Sequence, residues 1–359
     1  MKKYLIFIFI GIFVLILISV FIQDFVKFGK GIGLQKKSER LNSQTDRLKV
    51  GLVTGFGGLG DRSFNDMQYN GLIISKKLYG IDFEYFCPEN FEDIKKQVQI
   101  LIDDECDLII LGEGFIGQQI IDIFAPKYPK IKFVVLDNDC KRLYPNTASI
   151  LFKQNESSFL AGFLAGKMTK KKEVGFIGGA DIDVINDFLL GFEDGVKYAD
   201  KECNITIDYI NSYIKDFEKV WNSPKVAYEI SRKMITKNGV DIIYSVAAGS
   251  NMGIFNAAKE FKIFAIGVGT NQDYIIPGRI LTSSLKNPDQ TIAFIIKKTL
   301  DGQFESKSYY LGLKENAVGL SPMLYTKDII GKDILQKLYE VEQKIINKEI
   351  IVRSIFQKE

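Results

Sequence analysis

The sequence of 359 residues contains no histidine. That absence removes Ser-His-Asp and Cys-His catalysis, and every zinc site that needs an imidazole. Any proton transfer would fall to Asp, Glu, Lys, Tyr or Cys. The four cysteines, Cys87, Cys106, Cys140 and Cys203, are scattered with no C-x-x-C. This argues against a metal or redox site and for buried free thiols, with an extracytoplasmic disulfide as the alternative. A charge excess of one sign is also missing. The 47 Lys and Arg face 44 Asp and Glu, interspersed along the chain, for a net charge of +3, so no nucleic-acid footprint stands out. No repeat, low-complexity tract, Gly-Lys-Ser or Gly-Lys-Thr occurs, and Trp221 is the single tryptophan.

What is present begins with a long apolar run. Met1-Lys2-Lys3 precedes Tyr4 to Ile22, about 19 residues without charge, enough to span a bilayer. The run is longer than a usual signal segment, and neither a small-x-small cleavage site nor a cysteine follows it. The expectation is an uncleaved membrane anchor over 1–23, with a cleaved signal peptide as the alternative. A polar stalk follows over 24–48, with the body outside the cytoplasm.

From Lys49 onward, short β-branched runs alternate with amphipathic stretches. Strands are predicted at 49–54, 83–86, 108–112, 132–137, 148–152, 173–179, 205–210, 240–247, 264–269 and 280–285, with helices such as 91–105, 154–170, 184–199 and 224–238 between them. Nearly all-apolar strands separated by helices mean parallel sheets covered on both faces. This many strands suits two doubly wound α/β domains. Ligands of such sheets sit at the carboxyl ends of strands, so the loops after Thr54, Gly112, Asp137, Gly179, Ala247 and Gly269 are the ones to examine. A terminal helix is predicted over 326–350.

The first of those loops reads Gly55-Phe56-Gly57-Gly58-Leu59-Gly60, literally G-x-G-x-x-G. A dinucleotide site also needs an acid at the end of the second strand, about 20 residues on. Here the next acid past that strand is Glu89, and Asp61-Arg62-Ser63 separate the glycines from the helix. The glycines are read as a turn that needs positive φ. "ADIDVIND" (180–187) lacks EF-hand spacing, so it is read as cleft lining or helix capping.

The stretch "GLVTGFGGLGDRSFND" resembles the first-strand signature of the basic membrane protein family. "FVVLD", "FKQNESSFLAGFLAGKMTK", "VGFIGG", "GFEDGVKYA", "WNSPK", "IIYSVAAGS", "IGVGTNQDY", "ILTSSLKN" and "GLKENAVGL" follow in family order. The resemblance covers residues 49 to about 352. It implies purine-nucleoside-type binding components of ABC importers with the type I periplasmic-binding-protein fold. The expected N-terminal lobe is 49–150 plus 283–307. The expected C-terminal lobe is 151–282 plus 308–330, and 331–359 form a helix and tail.

The resemblance implies a flat base held between two rings, Phe64 and Trp221. It also implies Asp137 as a base-contacting acid, Gly249 as a backbone position near the sugar and Lys286 as the lysine there. Asn65 is presented beside Phe64, with helix capping as its alternative role. The sequence departs from the family where Gly55 and Gly269 replace acids and Val246 replaces a histidine. Asn271, Gln272 or Asp273 would then stand in for the second acid. The implied function is capture of a nucleoside-like or related heterocyclic solute for an ABC permease, without cofactor or catalysis. A surface adhesin or antigen with a degenerate cleft is the alternative.

Overall fold

The computed structural model describes residues 47–356 apart from 57 and 61–63. The expected anchor, and the expected stalk up to residue 46, lie outside the described residues. Among those described, no helix is long and apolar enough to cross a membrane.

The chain opens as β1 (Lys49–Val53), α1 (Phe64–Tyr79), β2 (Asp82–Phe86), α2 (Phe91–Asp103), β3 (Leu108–Leu111), α3 (Gly114–Phe124), β4 (Lys132–Leu136) and β5 (Thr147–Phe152). It continues as α4 (Gln154–Met168), β6 (Glu173–Gly178), α5 (Asp183–Ala199), β7 (Asn204–Tyr209), the short α6 (Phe217–Val220), α7 (Pro224–Asn238), β8 (Ile242–Val246), α8 (Asn251–Glu260), β9 (Phe264–Gly269) and β10 (Ile280–Lys286). The last elements are α9 (Pro288–Leu300), β11 (Ser308–Leu311), β12 (Val318–Leu320), α10 (Lys327–Ile330) and α11 (Lys332–Ile346).

The strands form two six-stranded sheets, ordered β11-β5-β4-β3-β1-β2 and β12-β10-β9-β8-β6-β7. Pairing is parallel, as in Leu52 opposite Ile110, except where β12 runs antiparallel to β10. Helices cover both faces, which is why β3 reads Leu-Ile-Ile-Leu and is buried throughout. All ten predicted strands are present. The terminal helix is broken at Gly331, whose φ of 82° is outside helical space.

Three segments cross between the sheets: 152–154, 286–288 and 311–318. The pairing places the second crossing after Lys286 and keeps Ser308–Leu311 in the first sheet, a few residues C-terminal of the crossings expected at 283 and 308. The crossings lie side by side. Lys153 N donates to Leu311 O (2.8 Å), and Asn287 N donates to Ala317 O (2.8 Å). Leu313 N donates to Glu156 Oε2 (2.8 Å).

Helices α4 and α5 pack closely through glycines. A Cβ on Gly162, Gly191 or Gly195 would lie 2.2 Å from Phe192 O, 2.1 Å from Asn155 O or 2.0 Å from Phe159 O, respectively. The C-terminal tail is pinned over this helix pair. Asn155 Nδ2 donates to Val352 O and Arg353 O, and Arg353 pairs with Asp194 and Glu193.

All four cysteines are free. Cys106, Cys140 and Cys203 are buried, and only Cys87 is exposed. Burial pushes the Cys106 and Cys140 thiols up to about 12, which leaves them as apolar filler rather than nucleophiles.

Candidate functional site

The carboxyl ends of the two sheets meet at one ion pair. Asp137 follows β4 in the first sheet, and Lys286 ends β10 in the second. Lys286 Nζ donates to Asp137 Oδ1 (2.7 Å) and Oδ2 (2.8 Å). The lysine side chain is only 9% exposed and the aspartate 24%. Asp137 adopts φ 60°, a left-handed conformation that Asp tolerates better than most residues. Three rings surround the ammonium, with Phe64, Phe152 and Phe188 centroids 5.7, 4.9 and 5.9 Å away. Phe64 begins α1 and meets Phe152 edge-on at 6.1 Å. The structure therefore brings Phe64, Asp137 and Lys286 into one partly buried, aromatic-walled grouping at the seam between sheets.

The glycine loop borders this grouping, and its amides are already engaged. Gly55 N donates to Asn65 Oδ1 (2.9 Å), Phe56 N to Glu113 Oε2 (3.2 Å) and Gly60 N to Asp66 Oδ1 (2.7 Å). Two of these acceptors are carboxylates, which would repel a phosphate. Gly58 and Gly60 have φ of 63° and 99°, the turn requirement that the glycines serve. Asn65 lies inside the first turn of α1, and its Nδ2 also donates to Phe56 O (3.2 Å). Its side chain staples the loop to the helix.

A second grouping belongs to the other sheet. The Trp221 indole lies on the backbone beyond β6, where a Cβ on Gly179 would come within 2.3 Å of Cζ3. Phe217 meets it edge-on at 5.7 Å. Gly249 sits in the turn after β8, and the neighbouring Ser250 N donates to Trp221 O (3.1 Å). Trp221 and Gly249 are therefore adjacent. Asn271 stands apart after β9, exposed, accepting from Asp273 N (3.0 Å). Gln272 caps Val268 N (3.1 Å). Asp273 is 1% exposed and accepts from Ser283 and Ser321 hydroxyls, so its carboxylate is spent inside the fold.

This geometry, two doubly wound sheets whose carboxyl ends meet at an aromatic and charged seam, has known counterparts. A family model described as ABC transporter substrate-binding protein PnrA-like, Bmp, matches residues 48–355. The chain belongs to the Bmp family. Bmp relatives include basic membrane protein B of Borreliella afzelii, 30% identical over 331 residues, 87% of this chain and 89% of that protein. An uncharacterised lipoprotein of Pyrococcus abyssi is 30% identical over 299 residues, 80% of this chain and 71% of that one. Among solved structures, an ABC transporter solute-binding protein of Aeropyrum pernix superposes with a TM-score of 0.69 at 26% identity, covering 86% of this chain and 94% of that chain. Bmp proteins are solute-binding proteins, not enzymes, with a small-molecule ligand and ABC permease subunits as partners. The type I periplasmic-binding-protein fold expected from sequence is the fold found.

Several residues around the seam were not singled out from the sequence. Phe152, Phe188 and Glu113 are among them. Asp187 lies in the stretch read as cleft lining or capping. It is fully buried, and its Oδ1 accepts from Ser354 Oγ (2.7 Å) and Ile355 N (2.8 Å). Its Oδ2 and the Oε1 of neighbouring Gln154 have no hydrogen-bond partner among the described residues. Burial raises the Asp187 pKa. The unfolded chain therefore loses this proton first, near the ordinary value of about 3.9. Stability falls as pH rises from there through the raised folded value. Asp187→Asn keeps the Oδ1 acceptor, replaces the orphan Oδ2 by an amide nitrogen and supplies a donor to Gln154 Oε1. The variant is expected to match the parent protein at acidic pH and to exceed it at neutral pH, as measured by thermal unfolding across pH 4–8.

Proposed function

We propose that this protein is an extracytoplasmic receptor that captures a nucleoside-like heterocyclic solute by closure of its two lobes and delivers it to an ABC importer. The observation that carries this reading is the grouping of Phe64 with the Asp137–Lys286 pair at the seam between the sheets. An aromatic face suits a planar base, and the charged pair suits hydroxyl or edge hydrogen bonds. Trp221 supplies the second ring from the other lobe, beside the Gly249 backbone, and Asn65 and Asn271 complete the proposed contacts. Closure of the lobes on a ligand would turn at the three crossings. The N-terminal apolar run would tether the body to the membrane from its outer face.

Titration calorimetry with nucleosides, bases, sugars and amino acids tests the reading. A nucleoside is expected to bind saturably and to quench the fluorescence of Trp221. Stacking on an aromatic ring contributes roughly 1–3 kcal/mol, so Phe64→Ala or Trp221→Ala is expected to weaken binding roughly 5- to 150-fold. Variants that fold and bind as the parent does would remove the two-ring arrangement. No stabilisation by any solute would remove the transport reading.

A further inference from the structure

Glu113 is the last residue before α3, just past the carboxyl end of β3. The sheet order reverses between β1 and β3, the point at which doubly wound sheets bind ligands. Its Oε2 accepts the Phe56 amide at 3.2 Å and lies 3.3 Å from where a Cβ on Gly55 would stand, and the Phe115 backbone amide also bonds the carboxylate. No Lys or Arg pairs with it among the described residues, whereas the nearby Asp137 is neutralised by Lys286. The helix is pressed against β4, since a Cβ on Gly114 would come within 2.3 Å of Leu136 O. This fixes Glu113 beside the Asp137 end of the seam.

A second acceptor adjoins it. Gln68 is fully buried, and its Oε1 is without a partner among the described residues. That oxygen fills the space a side chain on Gly112 would take, 1.9 Å from the Cβ position. Two exposed rings belong to residues near the carboxylate, Phe56 (42% exposed), whose amide it accepts, and Phe115 (84%), two positions on in the chain. A partly buried carboxylate that no cation pairs, beside a buried oxygen without a donor, favours a ligand that brings N–H groups, because a ligand without them leaves the carboxylate poorly compensated.

We infer that Glu113 is a specificity-determining residue that reads a heterocycle edge carrying adjacent N–H donors, the edge presented by guanosine rather than adenosine. This rests on the nucleoside reading above. A carboxylate accepts from neighbouring ring and exocyclic N–H groups together. Adenosine offers one donor beside an acceptor at that edge, so its ring nitrogen faces the carboxylate unfavourably. A carboxamide at the same place has the complementary donor and acceptor for adenine.

The test uses the full-length chain in detergent, titrated with guanosine, inosine and adenosine by calorimetry and Trp221 fluorescence. The expected order for the parent protein is guanosine, then inosine, then adenosine. Glu113→Gln is expected to weaken guanosine at least tenfold and to leave adenosine unchanged or tighter, with an unaltered melting temperature. Adenosine binding more tightly than guanosine to the parent would overturn the assignment, whatever the variant does. Equal loss or no change for all three ligands in the variant would also overturn it, leaving the nucleoside reading standing. Binding of none of the three would overturn both.

Discussion

Gly195→Ala is expected to lower the melting temperature, although alanine is the better helix former. In an exposed helix the exchange would gain about 1 kcal/mol. Here the new Cβ would stand 2.0 Å from Phe159 O and 2.8 Å from Phe163 N, both backbone atoms of a helix buried over most of its length. Backbone cannot turn aside as a side-chain tip can, so α4 and α5 must separate. Overpacking of this kind costs about 1–3 kcal/mol and sometimes more. The net expectation is a loss of about 1 kcal/mol or more, roughly 2–4 °C in Tm for each kcal/mol. Gly319→Ala is the control, since nothing lies within 4 Å of its Cβ position, and is expected to be close to neutral. If Gly195→Ala melts as high as the control, the close approach of these helices is wrong. Separation would also move Phe188, carried by α5, away from Lys286.

Lys286→Ala is expected to cost stability as well as binding. The lysine is nearly buried and holds both Asp137 oxygens. Its loss leaves an uncompensated carboxylate next to Glu113, and breaking a buried pair from one side costs about 3–5 kcal/mol. Asp137 is a quarter exposed, so water offsets part of this and about 2–4 kcal/mol is expected. Asp137→Asn combined with Lys286→Met should recover most of the loss, because both charges go together and Asn accepts the left-handed backbone. Urea unfolding of the two single variants and the double variant measures the coupling. Additive losses would show that the pair contributes nothing as a pair.

The sequence was most legible where its signal was periodic and apolar. All ten strands with long β-branched runs were found, and β3 and β8 are examples buried along their whole length. The strands β11 and β12 were missed because Ser308–Leu311 and Val318–Leu320 are too short to show a period. The helix seam was missed for a different reason. The glycines of α4 and α5 act on backbone atoms of a partner helix, which no single-helix pattern displays.

Of the site, Asp137 and Lys286 were named as separate ligand contacts. Their mutual pairing joins residues 149 positions apart and depends on how two sheets meet. Glu113 escaped because its meaning comes from the Phe56 amide and the Gly55 backbone, both in the loop after β1. Asp273 shows the reverse case, since an acid well placed in sequence is consumed by Ser283 and Ser321.

The crossings give the seam a mechanical character. Phe152 ends the strand before the first crossing, and Lys286 ends the strand before the second. Both therefore sit at the pivot of any rotation of one lobe against the other, where displacement per degree is smallest. Trp221, in the loop after α6, belongs to the other lobe away from the crossing segments in the chain, and would sweep a wider arc for the same angle. In the proposed site, a solute held by Lys286 would keep that contact almost independent of the angle, while contact with Trp221 would report the angle itself. One end of the ligand would then set retention, and the other how far the jaws are shut when a membrane partner inspects them.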